Sequence, residues 1–193
     1  MYVKKPAKCK YKIFILLFGI LFLFQNPAHA KAARLADLTV TNTRDDLLLY
    51  LKVEGAFSEK MKNAILSGVN TTFSFFISLR LVRNLWPDKK IAEIKVTNTI
   101  KYDNLKKKFF ITKSWKDDEI LVTQSLIEAE KLMTSIDSLK IVPLSRLEKG
   151  RQYQIKAKAE LGKTTLPFYL HYVFFFVSLW DFKTDWHTIS FIY

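Results

Sequence analysis
Two carboxylates and an imidazole stand close together near the end of the chain. Asp181, Asp185 and His187 lie around Trp180 and Trp186 in the stretch D-F-K-T-D-W-H. Oxygen and imidazole donors at this spacing suit a divalent cation, and the same groups can give and take protons. The stretch has an equally simple structural reading. Aspartates satisfy free backbone N–H groups, so it also reads as a turn leading into a strand. Elsewhere the chemistry is thin. The sequence holds no G-x-S-x-G elbow, no glycine loop for phosphate and no H-E-x-x-H pair. The expectation is a non-catalytic protein with no cofactor. Asp181, Asp185 and His187 are its one weak candidate site, and a metal-dependent enzyme built on them is the third-ranked function.

The elements that would position these residues follow from periodicity. Leu47, Leu49, Leu51 and Val53 fall on one face of a strand, after the alternating run Leu38 to Thr41 and a polar turn at Asn42 to Asp46. Phe73, Phe75, Ile77, Leu79 and Leu81 share a face of a long strand, with Thr72, Ser74, Ser78 and Arg80 on the other. Trp86-Pro87-Asp88 turns the chain. Ile91 to Tyr102 forms the next strand, with a register change near Ala92 and Glu93, and Phe109 to Trp115 returns. Tyr153, Ile155, Ala157, Ala159 and Leu161 alternate with Gln152, Gln154, Lys156, Lys158 and Glu160, a half-exposed strand. A last strand follows near His187 to Tyr193.

Two stretches switch to helical spacing. Ser58 to Gly68 carries Met61, Ala64 and Ile65 on one stripe, with Ser58 as N-cap and Gly68 as stop. Thr123 to Ile136 carries Leu126, Ala129, Met133 and Ile136, with Ser125 and Glu128 fitting a capping box. Ile141 to Leu147 is expected to be extended around Pro143. Val40-Thr41-Asn42-Thr43 recurs as Val96-Thr97-Asn98-Thr99, each copy expected at a strand end. Hairpin order implies antiparallel pairing. The fold class is mainly β or α+β: an antiparallel, sandwich-like domain of seven to eight strands with two short helices.

The first thirty residues have another character. Lys4, Lys5, Lys8, Lys10 and Lys12 precede an apolar run from Ile13 to Phe24, and Ala28-His29-Ala30 ends the segment. This is the order of a secretory signal, with cleavage expected between Ala30 and Lys31. Twelve residues rise about 18 Å as a helix, short of a hydrocarbon core about 30 Å thick. Cleavage lowers the formal charge from +13 to +8 and removes Cys9, the single cysteine. Residues 31–193 are then one domain, large enough to hold a core without disulfides. A basic exported protein is expected to meet an acidic envelope or inner-membrane protein, or an anionic lipid surface, rather than nucleic acid.

Leu166 to Phe182 is the most apolar stretch of that domain, L-P-F-Y-L-H-Y-V-F-F-F-V-S-L-W-D-F. Its length is at the lower limit for a spanning helix, and its aromatic and β-branched content suits strands. Spanning would also leave Arg151, Lys156, Lys158 and Lys163 outside, against the positive-inside bias. The expectation is a buried segment. Membrane association through Leu166–Phe182 is the alternative, by spanning the bilayer or lying at its surface. A pocket for an apolar or lipid ligand, lined by Phe73, Phe75, Phe174 and Phe176, is the second-ranked function.

The stretches "ARLADLTVTNTRDDLLLYLKVEG", "IKYDNLKKKF", "VPLSRLEKGRQYQIKAKAEL" and "LPFYLHYVFFFVSLWDFKTDW" resemble the bacterial family of domain of unknown function 4390. The resemblance covers nearly all of residues 31–193. It implies an exported protein of a Gram-negative bacterium and supplies no catalytic residues. It also implies a gene neighbourhood that often includes a membrane sensor histidine kinase. The leading functional expectation is therefore a periplasmic binding module for an envelope or inner-membrane protein, such a kinase among them.

Overall fold
The computed structural model describes residues 33–117, 119–162 and 182–193. The expected cleavage site at Ala30 and Lys31, the candidate residue Asp181, and Phe174 and Phe176 lie outside them, as does all of Leu166–Phe182 but its last residue. The described elements are β1 (Arg34–Asn42), β2 (Asp46–Glu54), α1 (Glu59–Leu66), β3 (Thr71–Leu81), β4 (Lys89–Asp103), β5 (Lys108–Lys113) and β6 (Ile120–Thr123). They continue with α2 (Leu126–Thr134), β7 (Ser135–Pro143), a 3-10 turn (Leu144–Arg146), β8 (Gln152–Leu161) and β9 (His187–Ile192). The strands form a three-stranded sheet, β1-β2-β7, and a six-stranded sheet, β6-β5-β4-β3-β8-β9. Every pairing is antiparallel. This is the expected fold class, with nine strands among the described residues where seven to eight were expected.

Period-two patterning places the core. Leu47, Leu49, Leu51 and Val53 of β2 are buried, as are Phe73, Phe75, Ile77, Leu79 and Leu81 of β3 and Tyr153, Ile155, Ala157 and Ala159 of β8. These residues of both sheets belong to one apolar cluster, which also takes in Met61, Ala64 and Ile65 of α1 and Ala129 and Met133 of α2. Each helix starts on a serine: Ser58 Oγ accepts from the Met61 N–H and Ser125 Oγ from the Glu128 N–H. Gly68 at φ +88° closes α1, where a β-carbon would be strained. Lys62 ties the helices together, reaching Glu59 at 3.2 Å and Glu130 at 3.3 Å. Hydrogen bonding to Glu59 and then to Glu130 raises its pKa.

The structure departs from the sequence expectations in four places. Residues 120–123 form strand β6, and α2 begins only at Leu126. The helix ends at Thr134, so Ile136 belongs to β7 although it continues the apolar stripe of α2. Leu144–Arg146 turns as a 3-10 helix instead of running extended. Val96–Thr99 lies in the interior of β4, not at its end, and Asn98 is fully buried there. The register change expected near Ala92 and Glu93 is present in β4: Leu79 pairs with Ala92 and Arg80 with Lys90, leaving Ile91 extra.

Candidate functional site
The predicted cluster divides. Asp185 and His187 are both exposed, and His187 opens β9 opposite Ala157. Among the described residues no three His, Cys, Asp or Glu side chains come together as a metal site would need. The anchoring residue of the stretch is Thr184, which is buried. Its Oγ1 accepts the Ala159 N–H at 3.0 Å, and its own N–H donates to the Ala159 carbonyl at 2.9 Å. Phe73 and Phe75 are core residues with no exposed surface. The Phe73 ring is met by Phe57 at 5.2 Å and edge-on by Phe182 at 4.7 Å between centroids.

A different set of side chains is brought together on the outer face of the six-stranded sheet. Because Phe73, Phe75, Ile77 and Leu79 point inward, Thr72, Ser74, Phe76, Ser78 and Arg80 point outward. The register then fixes their neighbours. Phe76 lies between Lys95 of β4 and Lys158 of β8, and Ser78 lies between Glu93 and Lys156. Lys95 Nζ sits 5.3 Å from the Phe76 ring centroid and Lys158 Nζ 4.6 Å from it. Lys158 Nζ also lies 5.3 Å from the Trp186 ring. An ammonium against an aromatic face is attracted by the ring quadrupole and keeps its free side to water.

The charges on this face are unequal. Lys90, Lys95, Lys101, Lys108, Arg80, Lys156 and Lys158 stand against Glu93, Asp103 and Glu160. Glu93 is taken up by Lys90 and Glu160 by Lys158 at 3.1 Å, while Asp103 accepts the N–H groups of Leu105 and Lys106 at the edge of the face. The hydrogen bond from Lys90 holds the Glu93 carboxyl below its usual pKa. Lys95, Lys101 and Lys156 form no ion pair with any described residue. Ser78, Arg80, Glu93, Lys156, Trp186 and Thr188 line a shallow depression on this face. Both helices contribute to the core, and no described element covers the outer face.

Sequence reasoning marks the polar residues of this face but passes over Phe76 and Trp186. Phe76 is the signal that could have found it. In Phe73-Ser74-Phe75-Phe76 it is the one large apolar residue on the polar parity of β3. Trp186 reads from sequence as a neighbour of the Asp/His cluster, whereas its ring belongs with Lys158.

Inside the fold, a second polar group lies beneath α2. Asn98 Nδ2 donates to the carbonyls of Leu132, Met133 and Ser135 at 3.4, 2.8 and 3.2 Å. Lys113, paired with Asn98 in the β4–β5 register and only 1% exposed, reaches the Ser135 carbonyl at 3.4 Å and Asp137 at 3.3 Å. Burial lowers the Lys113 pKa, opposed by the half-exposed Asp137 carboxylate. These donors satisfy carbonyls that the helix end leaves open, which is structural work.

The architecture and surface together define a two-sheet antiparallel β domain whose larger sheet carries an open, basic and aromatic face. The chain belongs to the family described as domain of unknown function, DUF4390, whose model matches residues 30–190. No curated protein and no solved structure matches it.

Proposed function
We propose that this protein is a non-catalytic binding module of the bacterial periplasm. Residues 1–30 direct export. The outer face of the six-stranded sheet docks an acidic surface of an envelope or inner-membrane protein. The observation that carries this reading is the row Lys95–Phe76–Lys158–Trp186, with Lys101 and Lys156 beside it, on a face where cations outnumber carboxylates. Aromatic rings held among cations give a contact surface with little rotamer freedom left to lose, and the excess positive charge steers an acidic partner. A membrane sensor histidine kinase is the first partner to test, because the family resemblance implies that neighbourhood.

The test is crosslinking in intact cells, comparing the wild-type chain with a Lys95→Glu/Lys156→Glu variant. The expected result is an inner-membrane protein enriched with the wild type and lost with the variant. Equal enrichment by both, or none by either, contradicts the proposal.

A further inference from the structure
The turn between β3 and β4 presents the most exposed adjacent apolar pair among the described residues. Leu85 is 92% exposed and Trp86 74%. Their placement is fixed from below. The Val82 N–H donates to the Gln152 carbonyl at 2.9 Å, the Arg83 N–H to Asp88 Oδ1 at 3.4 Å, and Pro87 restricts the backbone after Trp86. The turn stands at one end of the six-stranded sheet, beside residues 148–151. Arg83, Lys89, Glu148 and Arg151 share a depression with Leu85 and Trp86. Around the base, Arg83, Lys89, Lys90, Lys149 and Arg151 outnumber Asp88, Glu93 and Glu148. Lys90 and Arg151 form ion pairs there, with Glu93 and Glu148. Arg83, Lys89 and Lys149 form none with any described residue.

We infer that this turn is a membrane-contacting tip, with Leu85 and Trp86 entering the headgroup region of an anionic bilayer. The chemistry of the turn is ordered along its height. The apolar pair is at the apex and the cations are at its base. A bilayer surface offers the complement in the same order, with anionic headgroups outermost and apolar chains beneath. Tryptophan is favoured at that depth, where its ring is apolar and its N–H finds a polar partner. A charged tip with no apolar apex would adsorb only through salt-sensitive attraction. The inference goes beyond the face proposed above and gives it an orientation. With the tip in the bilayer the strands stand upright, and the outer sheet face turns sideways toward proteins embedded beside it.

The experiment uses vesicles of phosphatidylcholine alone and of phosphatidylcholine with about one third phosphatidylglycerol. On the processed chain beginning at Lys31, which holds no cysteine, an environment-sensitive fluorophore is attached at Leu85→Cys. Binding of the unlabelled wild type and of a Leu85→Ser/Trp86→Ala variant is measured by co-sedimentation. Both positions are exposed, so the variant is expected to keep the wild-type circular dichroism and melting temperature. The expected result is a blue-shifted label on the anionic vesicles and binding weakened about tenfold or more in the variant, as the loss of two inserted apolar side chains implies. Equal vesicle binding by wild type and variant overturns the inference. So does a label that shifts only when an envelope protein is added, since the tip would then be a protein contact. Lys95→Glu/Lys156→Glu is expected to lose the protein crosslink and keep the label's shift, so failure of either proposal is visible separately.

Discussion

Asn98 on β4 donates to the carbonyl of Met133 on α2 at 2.8 Å, across 35 residues of sequence. The same amide reaches the Leu132 and Ser135 carbonyls, so one buried side chain closes the end of a helix that has no glycine cap. Replacing it by an apolar residue of similar size leaves those carbonyls buried and short of donors. Asn98→Leu is expected to cost about 1–3 kcal/mol, read as a lower urea midpoint with an unchanged slope. An unchanged midpoint would show that these carbonyls do not depend on the Asn98 amide.

Lys113 sets a pH dependence whose sign follows from its lowered pKa. Below the folded pKa the amine is protonated in both states, and the burial penalty is present in full. Between that value and the unfolded value of 10.5 the unfolded chain holds more protons, so this group's contribution to stability rises with pH. Lys113→Met is expected to remove that rise. It should also leave the protein at least as stable at neutral pH, by up to about 1 kcal/mol, because Asp137 stays solvated. Urea midpoints for both proteins between pH 7 and 10.5 check this. A loss of stability on substitution at neutral pH would mean that the amine's bond to Ser135 outweighs its burial.

Thr184 and Asp185 are neighbours with opposite expectations. Thr184 is buried and bonded to β8, so Thr184→Ala is expected to cost about 1–2 kcal/mol. Asp185 is exposed, and Asp185→Ala is expected to change stability by less than about 0.5 kcal/mol. Thermal melts of the two variants test whether the D-F-K-T-D-W-H stretch serves as an anchor. The reverse ranking would return attention to the carboxylate.

Export makes a prediction of its own. The protein recovered from its host is expected to begin at Lys31, as N-terminal sequencing would show. A product beginning at Met1 would mean that the basic, apolar N-terminus is retained.

Where the sequence is legible, a single periodicity spans the element. β8 alternates without interruption and β3 with the single exception of Phe76, so their inner faces follow from residue type. α1 is bounded by Ser58 and Gly68, each with its own backbone chemistry. The junction of α2 and β7 is not legible for a physical reason. Leu126, Ala129, Met133 and Ile136 keep helical spacing across it, and no glycine or proline marks the stop. What satisfies the helix end is Asn98, distant in sequence and set among residues that look like a strand end. Strand β6 is four residues long, too short for alternation to declare itself. The outer face escapes for a related reason. Phe76, Lys95, Lys158 and Trp186 come from four separate segments, and only the register of three strands and the return of the chain beside β8 bring them together.

The central claim is that this face binds an acidic partner. The most direct measurement is the in-cell crosslink placed on the face itself, with a photoreactive residue at Thr97, beside Lys95. The account predicts one dominant inner-membrane adduct that disappears in Lys95→Glu/Lys156→Glu while the variant's melting temperature stays within about 2 °C of the wild type. An adduct that survives the charge reversal, or a face that gives no adduct in intact cells, would contradict it.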